Sequence, residues 1–223
     1  MSDRVGVFID GQNVFKGVNR RYGARVHPLL LARELAGGRT LTATHYYSGI
    51  HDPDENASMH DLVDRRHRLI ERTGVTVTER TLRYHWEWSI TDRLPPPWSD
   101  EGRDRRKASV TRKRKAREKG IDVALALDAV AAAFTDAFDV IVIVSRDRDL
   151  MEIANEINAR CETSSIRVEV AYVREHPNDA PPSLPHYEAA HVIDEAIIER
   201  CRDHFDYRHP LDEGEIDEFL ASL

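Results

Sequence analysis

Two stretches, RVGVFIDGQN at 4–13 and VIVIVSRDRDL at 140–150, decide the fold. Each opens with a short run of β-branched and aliphatic residues, apolar almost throughout, the pattern of a strand covered on both faces. Each run then stops in polar residues: Asp10, Gly11, Gln12 and Asn13 in the first, Ser145 to Asp149 in the second. Three further strand-like runs follow the same composition, LTATHYY (41–47), VTVTE (75–79) and RVEVAY (167–172). Between the runs lie helical patterns: HPLLLARELAG, NASMHDLVDRRHRLIERTG, GIDVALALDAVAAAFTD and DLMEIANEINAR. Strands alternating with helices predict an α/β chain, a three-layer α/β/α Rossmann-like sandwich around a central, mostly parallel sheet.

At 223 residues the chain is long enough to bury a full core without disulfides. Its two cysteines, Cys161 and Cys201, form no Cys-x-x-Cys pair, which argues against a disulfide framework, a zinc knuckle and a dithiol redox centre. No apolar run approaches the ~20 residues of a membrane span. The first residues, MSDRVGVFID, lack the pattern of an export signal, so a cytoplasmic location is the expectation. There is no Gly-x-Gly-x-x-Gly after the first strand, no phosphate-binding loop of the Gly-Lys-Ser/Thr kind and no Gly-x-Ser-x-Gly elbow. Dinucleotides, ATP and serine nucleophiles are therefore not expected.

The net charge of −7 hides a strong asymmetry. Residues 103–119, RDRRKASVTRKRKAREK, hold ten basic and two acidic residues, leaving the remainder of the chain at −15. One concentrated basic segment on an acidic body suits the grip of a phosphate backbone at one place. This run closes an irregular stretch, 84–118, too long for an ordinary connection and read as an insertion on the rim of the sheet. The basic part is expected to become helical as it enters the next helix, with Arg112, Lys113, Arg114 and Lys115 contacting nucleic acid. Trp86, Trp88 and Trp98 flank the insertion, either packing it on the body or stacking on unpaired bases. The acidic tail, 207–223, carries Ile216, Phe219 and Leu220 at helical spacing and should dock on the body or meet a protein partner. The division is thus a domain over 1–206 followed by the tail.

Open parallel sheets bind ligands at the carboxyl ends of their strands, where the winding reverses. If the first and fourth strands are neighbours, Asp10 and Asp147 approach each other, and Asp149 follows within the same turn. Asp122, at the start of the Ala-rich helix, leans in from above. Like charges so crowded raise one another's pKa unless a cation neutralises them. Hard oxygen ligands suit Mg²⁺ or Mn²⁺, and such a site activates water and stabilises charge on a phosphodiester. An Asp opening a helix can also be a simple cap. Asp128, six positions beyond Asp122, falls on another face and is read as supporting the site or pairing with a basic residue.

Three motifs in this order, VGVFIDGQN, KGIDVALALD and VIVIVSRDRDL, with YYSGI and ERTLRY between them, resemble the NYN domain of the LabA-like group, within the PIN-like nucleases. The resemblance covers roughly residues 4 to 175. It implies a PIN-like fold and a metal-dependent endoribonuclease with ligands at Asp10, Asp122, Asp147 and Asp149 and with Asn13 at the scissile phosphate. Lys119, Arg146 and Arg148 would neutralise flanking phosphates. The two arginines depart from the small residues usual in that motif. They either clamp the substrate phosphate or pair with the carboxylates and displace the metal. The second outcome would leave a catalytically silent module that binds RNA or a protein partner. A toxin-like or phage-defence nuclease restrained by a partner is a third reading, and a homodimer is compatible with the fold.

Overall fold

The computed structural model describes residues 2–90, 110–160, 166–174, 187 and 189–223. Trp98 and the rest of LPPPWSDEGR, the first part of the basic run, Cys161 and the Pro-rich stretch at 175–185 lie outside these residues. The main sheet contains β1 (Arg4–Asp10), β2 (Thr40–Ile50), β3 (Thr76–Thr81), β6 (Val140–Val144), β7 (Arg167–Val173) and β8 (Ala189–Ile193). Their order is β3-β2-β1-β6-β7-β8, and every pairing is parallel. The order reverses between β1 and β6, so the switch point falls between the two wholly apolar strands singled out by sequence.

Alternating side chains of these strands feed two cores. Val5, Val7 and Ile9 of β1, with Val140, Val142 and Val144 of β6, face one layer that includes Val14, Val18, Leu31 and Leu35. Phe8, Ile141 and Ile143 face the other, against Leu125, Ala129, Ile153 and Ile157. The first layer contains α1 (Gly11–Tyr22) and α2 (Pro28–Ala36); the second contains α4 (Ile121–Ala133) and α5 (Glu152–Arg160). Each fully buried Val or Ile contributes about 1.5–3 kcal/mol, so both faces of the central strands anchor the switch point. The predicted strand at 140–144 is observed residue for residue, and α3 (Pro53–Arg72) matches its predicted helical stretch closely. Helix α1 and strand β8 were not anticipated: Val14, Phe15, Val18 and Tyr22 lie at helical spacing but are diluted by glycines and polar residues, and AAHVI is too short to stand out.

The basic run is a correction to the sequence reading. It forms not a helix but strand β5 (Val110–Arg117), paired antiparallel with β4 (Arg83–Ile90) in a separate two-stranded ribbon. In a helix, successive Lys and Arg would crowd like charges at i, i+4. In a strand they alternate between faces and meet cross-strand partners such as Glu87, which lies 2.6 Å from Lys115.

After the short helix α6 (Glu195–Arg200), the tail becomes α7 (Glu213–Ser222). Its apolar stripe docks on the body: Ile216 is buried beside Leu69 and Tyr207, with Phe219 and Leu220 packed against them. Of the two fates open to that stripe, internal packing is the one observed.

Helix α1 lies so close to β2 that Gly11 has no room for a side chain. A Cβ there would stand 2.5 Å from Cζ of Tyr46, whose hydroxyl is held by Arg66 at 2.8 Å. Gly11→Ala is expected to lower stability by ~1–2 kcal/mol, because the overlap outweighs the ~1 kcal/mol that Ala gains in a helix. A lower urea midpoint at unchanged m would show it.

Candidate functional site

Asp10 ends β1 and caps α1, its Oδ1 accepting the amide of Asn13 at 2.9 Å. Its Oδ2 accepts the hydroxyl of Ser145 at 2.9 Å, and that hydroxyl oxygen in turn accepts the amide of Asp147 at 3.1 Å. One serine thus ties the ends of β1 and β6 together and fixes both aspartates. The side chain of Asp147 accepts the amide of Asp149 at 3.0 Å, capping a single 3₁₀ turn (Arg148–Met151). Asn13 completes the frame, its Oδ1 accepting the amide of Arg146 at 3.0 Å.

A cleft of about 390 Å³ opens beside this frame, lined by Asp10, Asn13, Asp122 and Asp147 together with Gln12, Lys16, Arg20, Ala116, Arg117 and Glu118. The topology therefore brings together four of the predicted site residues. Asp149 is exposed outside this lining, as is Arg148; Arg146 and Lys119 do not line it either. Of the two readings of Asp128, the pair with a basic residue is not the contact seen among the described residues: Asp128 accepts the hydroxyl of buried Tyr47 at 2.9 Å.

The sequence reading missed the cleft's fourth carboxylate, Glu118, and its cations Lys16, Arg20 and Arg117. Lys16 is steadied by Gln12 at 2.7 Å. Glu118 leaves the ribbon at the end of β5 and is half-buried, with Oε1 buried and without a hydrogen-bond partner. Available signals were the spacing of Gln12, Lys16 and Arg20 at four residues, one face of a helix, and the lone acid four residues before Asp122.

The carboxyls carry the expected signature of crowding. Burial, then the charges of Asp122 and Asp147, raise Asp10 above the usual range, against the lowering effect of the Asn13 amide and the Ser145 hydroxyl. Partial burial and the neighbouring Asp147 and Asp149 raise Asp122, opposed by Lys16. Glu118 is pushed up to about 7 by burial and by Asp10 and Asp122. Among the described residues no three Asp, Glu, His or Cys side chains come close enough together to hold a metal ion by themselves. The donors are instead carboxylate oxygens spaced along an open cleft, one of them orphaned, and no His or Cys among the described residues lines it. That set fits a hard, partly hydrated ion that keeps several waters and shares a phosphate with its substrate, as Mg²⁺ does.

An open parallel sheet with a carboxylate-lined cleft at its switch point defines a three-layer, Rossmann-like α/β chain. Residues 4–194 match the NYN domain, and the chain belongs to that family. A solved protein of unknown function from Vibrio parahaemolyticus is similar at 16% identity, over 91% of this chain and 97% of that one, with a TM-score of 0.53. That likeness shows the shared fold. No curated protein matches the chain. Among the described residues no helix is long and apolar enough to cross a membrane.

Proposed function

We propose that this chain is a divalent-cation-dependent endoribonuclease that hydrolyses RNA phosphodiester bonds in the cleft between β1 and β6. The observation that carries this reading is the convergence of Asp10, Asp122, Asp147 and Glu118 with Lys16, Arg20 and Arg117 at the switch point of an NYN domain. Asp10, Asp122 and Asp147 would hold Mg²⁺ or Mn²⁺ through their carboxylate oxygens. The ion would supply water activation and stabilise the charge that develops on the phosphoryl oxygens.

The chain's own groups do the rest. Lys16, Arg20 and Arg117 neutralise the phosphates that the acidic floor would otherwise repel. The carbonyl end of Asn13 is engaged by Arg146, which leaves its amide NH₂ to donate to a phosphate oxygen. Glu118, whose Oε1 is buried in the same cleft with no hydrogen-bond partner among the described residues, would take the proton of the attacking water. The water oxygen bonds to phosphorus, the bond to the sugar 3′ oxygen breaks and that oxygen takes a proton from solvent, giving a 5′ phosphate and a 3′ hydroxyl. Asp149, outside the cleft lining, adds negative potential that raises Asp122. Arg112 to Lys115 on the ribbon and Lys119, Arg146 and Arg148 around the cleft would guide the flanking backbone.

Incubation of an end-labelled structured RNA with the purified protein in Mn²⁺, Mg²⁺ or EDTA tests the reading. Products with either ion and none with EDTA are expected. RNA bound but intact in every lane would turn the assignment to a silent binding module. Lys16→Ala should weaken RNA binding across sequences and reduce the slope of log K against log salt by about 1, as for one lost phosphate contact.

A further inference from the structure

Beyond the end that enters the cleft, the β4–β5 ribbon takes no part in the carboxylate chemistry, yet it exposes a dense cluster of basic and aromatic side chains. Its two strands carry six Lys or Arg residues against one Glu, on a chain whose net charge is −7. The antiparallel register sorts them. Trp86 stands opposite Arg114 and Trp88 opposite Arg112, with Tyr84 opposite Ala116, so these residues share one face. The alternate positions, His85, Glu87, Lys113 and Lys115, fall on the other.

The first face is a ladder of rings and guanidiniums. Arg112 lies 4.2 Å from the centre of the Trp86 ring and 5.4 Å from that of Trp88, while Arg114 lies 5.6 Å from Trp86 and 5.7 Å from Tyr84. Trp86 and Trp88 remain 50% and 67% exposed, so packing on the body does not account for them. Indole rings of this size are normally buried. The ladder is also anchored at its base: the hydroxyl of Tyr84 lies 2.6 Å from Nδ1 of His51, and Arg114 pairs with Glu55 at the start of α3. At that same end the ribbon delivers Ala116, Arg117 and Glu118 into the cleft. From Tyr84 to Trp88 the strand advances about 13 Å.

We propose that this face is a stacking platform for single-stranded RNA, on which unpaired bases lie against Trp86 and Trp88 while Arg112 and Arg114 hold the phosphates. The proposal rests on the reading of the cleft as an RNA site and specifies its substrate class: a strand with an unpaired segment next to the bond that is cut. Exposed rings accept any base face, and arginines already layered on them can stack on bases as well as pair with phosphates. A duplex, whose bases are stacked on one another, offers this face its phosphates alone. The positive charge favours a polyanion, and the ladder's continuity with the cleft favours the strand bound there.

The test is anisotropy of a 5′-labelled 12-nucleotide oligouridylate, and of a duplex of equal length, with the full chain carrying Asp147→Asn to prevent cleavage. The single strand should bind more tightly than the duplex. Trp86→Ala with Trp88→Ala should weaken the single strand by about tenfold or more, leave the duplex nearly unchanged and preserve the salt slope. The Trp→Phe pair should restore most of the loss. In a Trp98→Phe background, adding the oligouridylate should quench the remaining Trp emission, a readout independent of any folding defect in the Ala pair. Equal loss for both RNAs, unquenched emission, or no single-strand binding with both tryptophans present would overturn the platform, the last pointing to an acidic protein as its partner. Single-strand binding that depends on Trp86 and Trp88 without any cleavage by the parent chain would instead overturn the nuclease reading and leave the platform standing.

Discussion

Asp10→Asn should reduce RNA cleavage by about 10³-fold or more, the consequence of losing several kcal/mol of cation and transition-state stabilisation. The substitution removes the charge and keeps the helix cap, at the cost of the oxygen that accepts the Ser145 hydroxyl. Asn retains an oxygen that can accept the Asn13 amide, and Asn is as good a helix cap as Asp. What disappears is a carboxylate that is 4% exposed and whose ionised form is disfavoured by burial and by Asp122 and Asp147. The metal-free Asp10→Asn protein should therefore melt at a higher temperature than the parent while being inactive, the usual exchange between stability and function at a crowded site. Asp147→Asn, which keeps an oxygen for the Asp149 amide, should be equally inactive. Asp149→Asn should cost less than tenfold, because that side chain stands outside the cleft lining. Cleavage by either of the first two variants at the parent rate would remove the site assignment.

The contrast between Asp10 and Glu118 shows what sequence could and could not carry. Asp10 was legible because a carboxylate at the end of an all-apolar strand is costly without a partner, and the strand itself announced a buried sheet. Asp147 followed by the same logic once β1 and β6 were taken as neighbours, and their observed pairing bears that out. Glu118 sits in the most charged stretch of the chain, where either of two acids among ten basic residues reads as a solvated ion pair. Its burial arises from a long-range event, the return of β5 to the sheet after pairing with β4, which no local period encodes. The same stretch misled on secondary structure, since alternating faces of Lys and Arg carry no apolar signal to separate a strand from a helix. Lys16 and Arg20 were overlooked for a related reason. Helix α1 is amphipathic, but two of its four buried residues are glycines, so its apolar stripe is short and nothing marks its polar face as part of a site.

The same crowding of carboxylates predicts a large, pH-dependent response to divalent cations in the absence of RNA. In the metal-free chain Asp10, Asp122 and Glu118 all have folded-state pKa values raised above their ordinary 3.8 and 4.5. The folded state thus holds protons that the unfolded state releases, so this stability is fully present below the ordinary values and is lost as pH rises through the folded ones. For Glu118 that window runs from 4.5 to about 7. A cation replaces those protons, so its stabilisation should be small at pH 5 and large at pH 8, where the carboxylates are bare. At a hundredfold excess over its Kd a bound ion adds about 2.7 kcal/mol, equivalent to a rise of roughly 5–10 °C in the melting temperature of a chain this size. Mg²⁺ and Mn²⁺ should both produce it, EDTA should reverse it, and NaCl of equal ionic strength should not. Glu118→Gln should flatten the metal-free decline between pH 4.5 and about 7, because a group that loses its proton in that window is then absent. A shift of equal size at pH 5 and pH 8 would locate cation binding away from these carboxylates, and no shift at pH 8 would show that the cleft binds no ion without its substrate's phosphate.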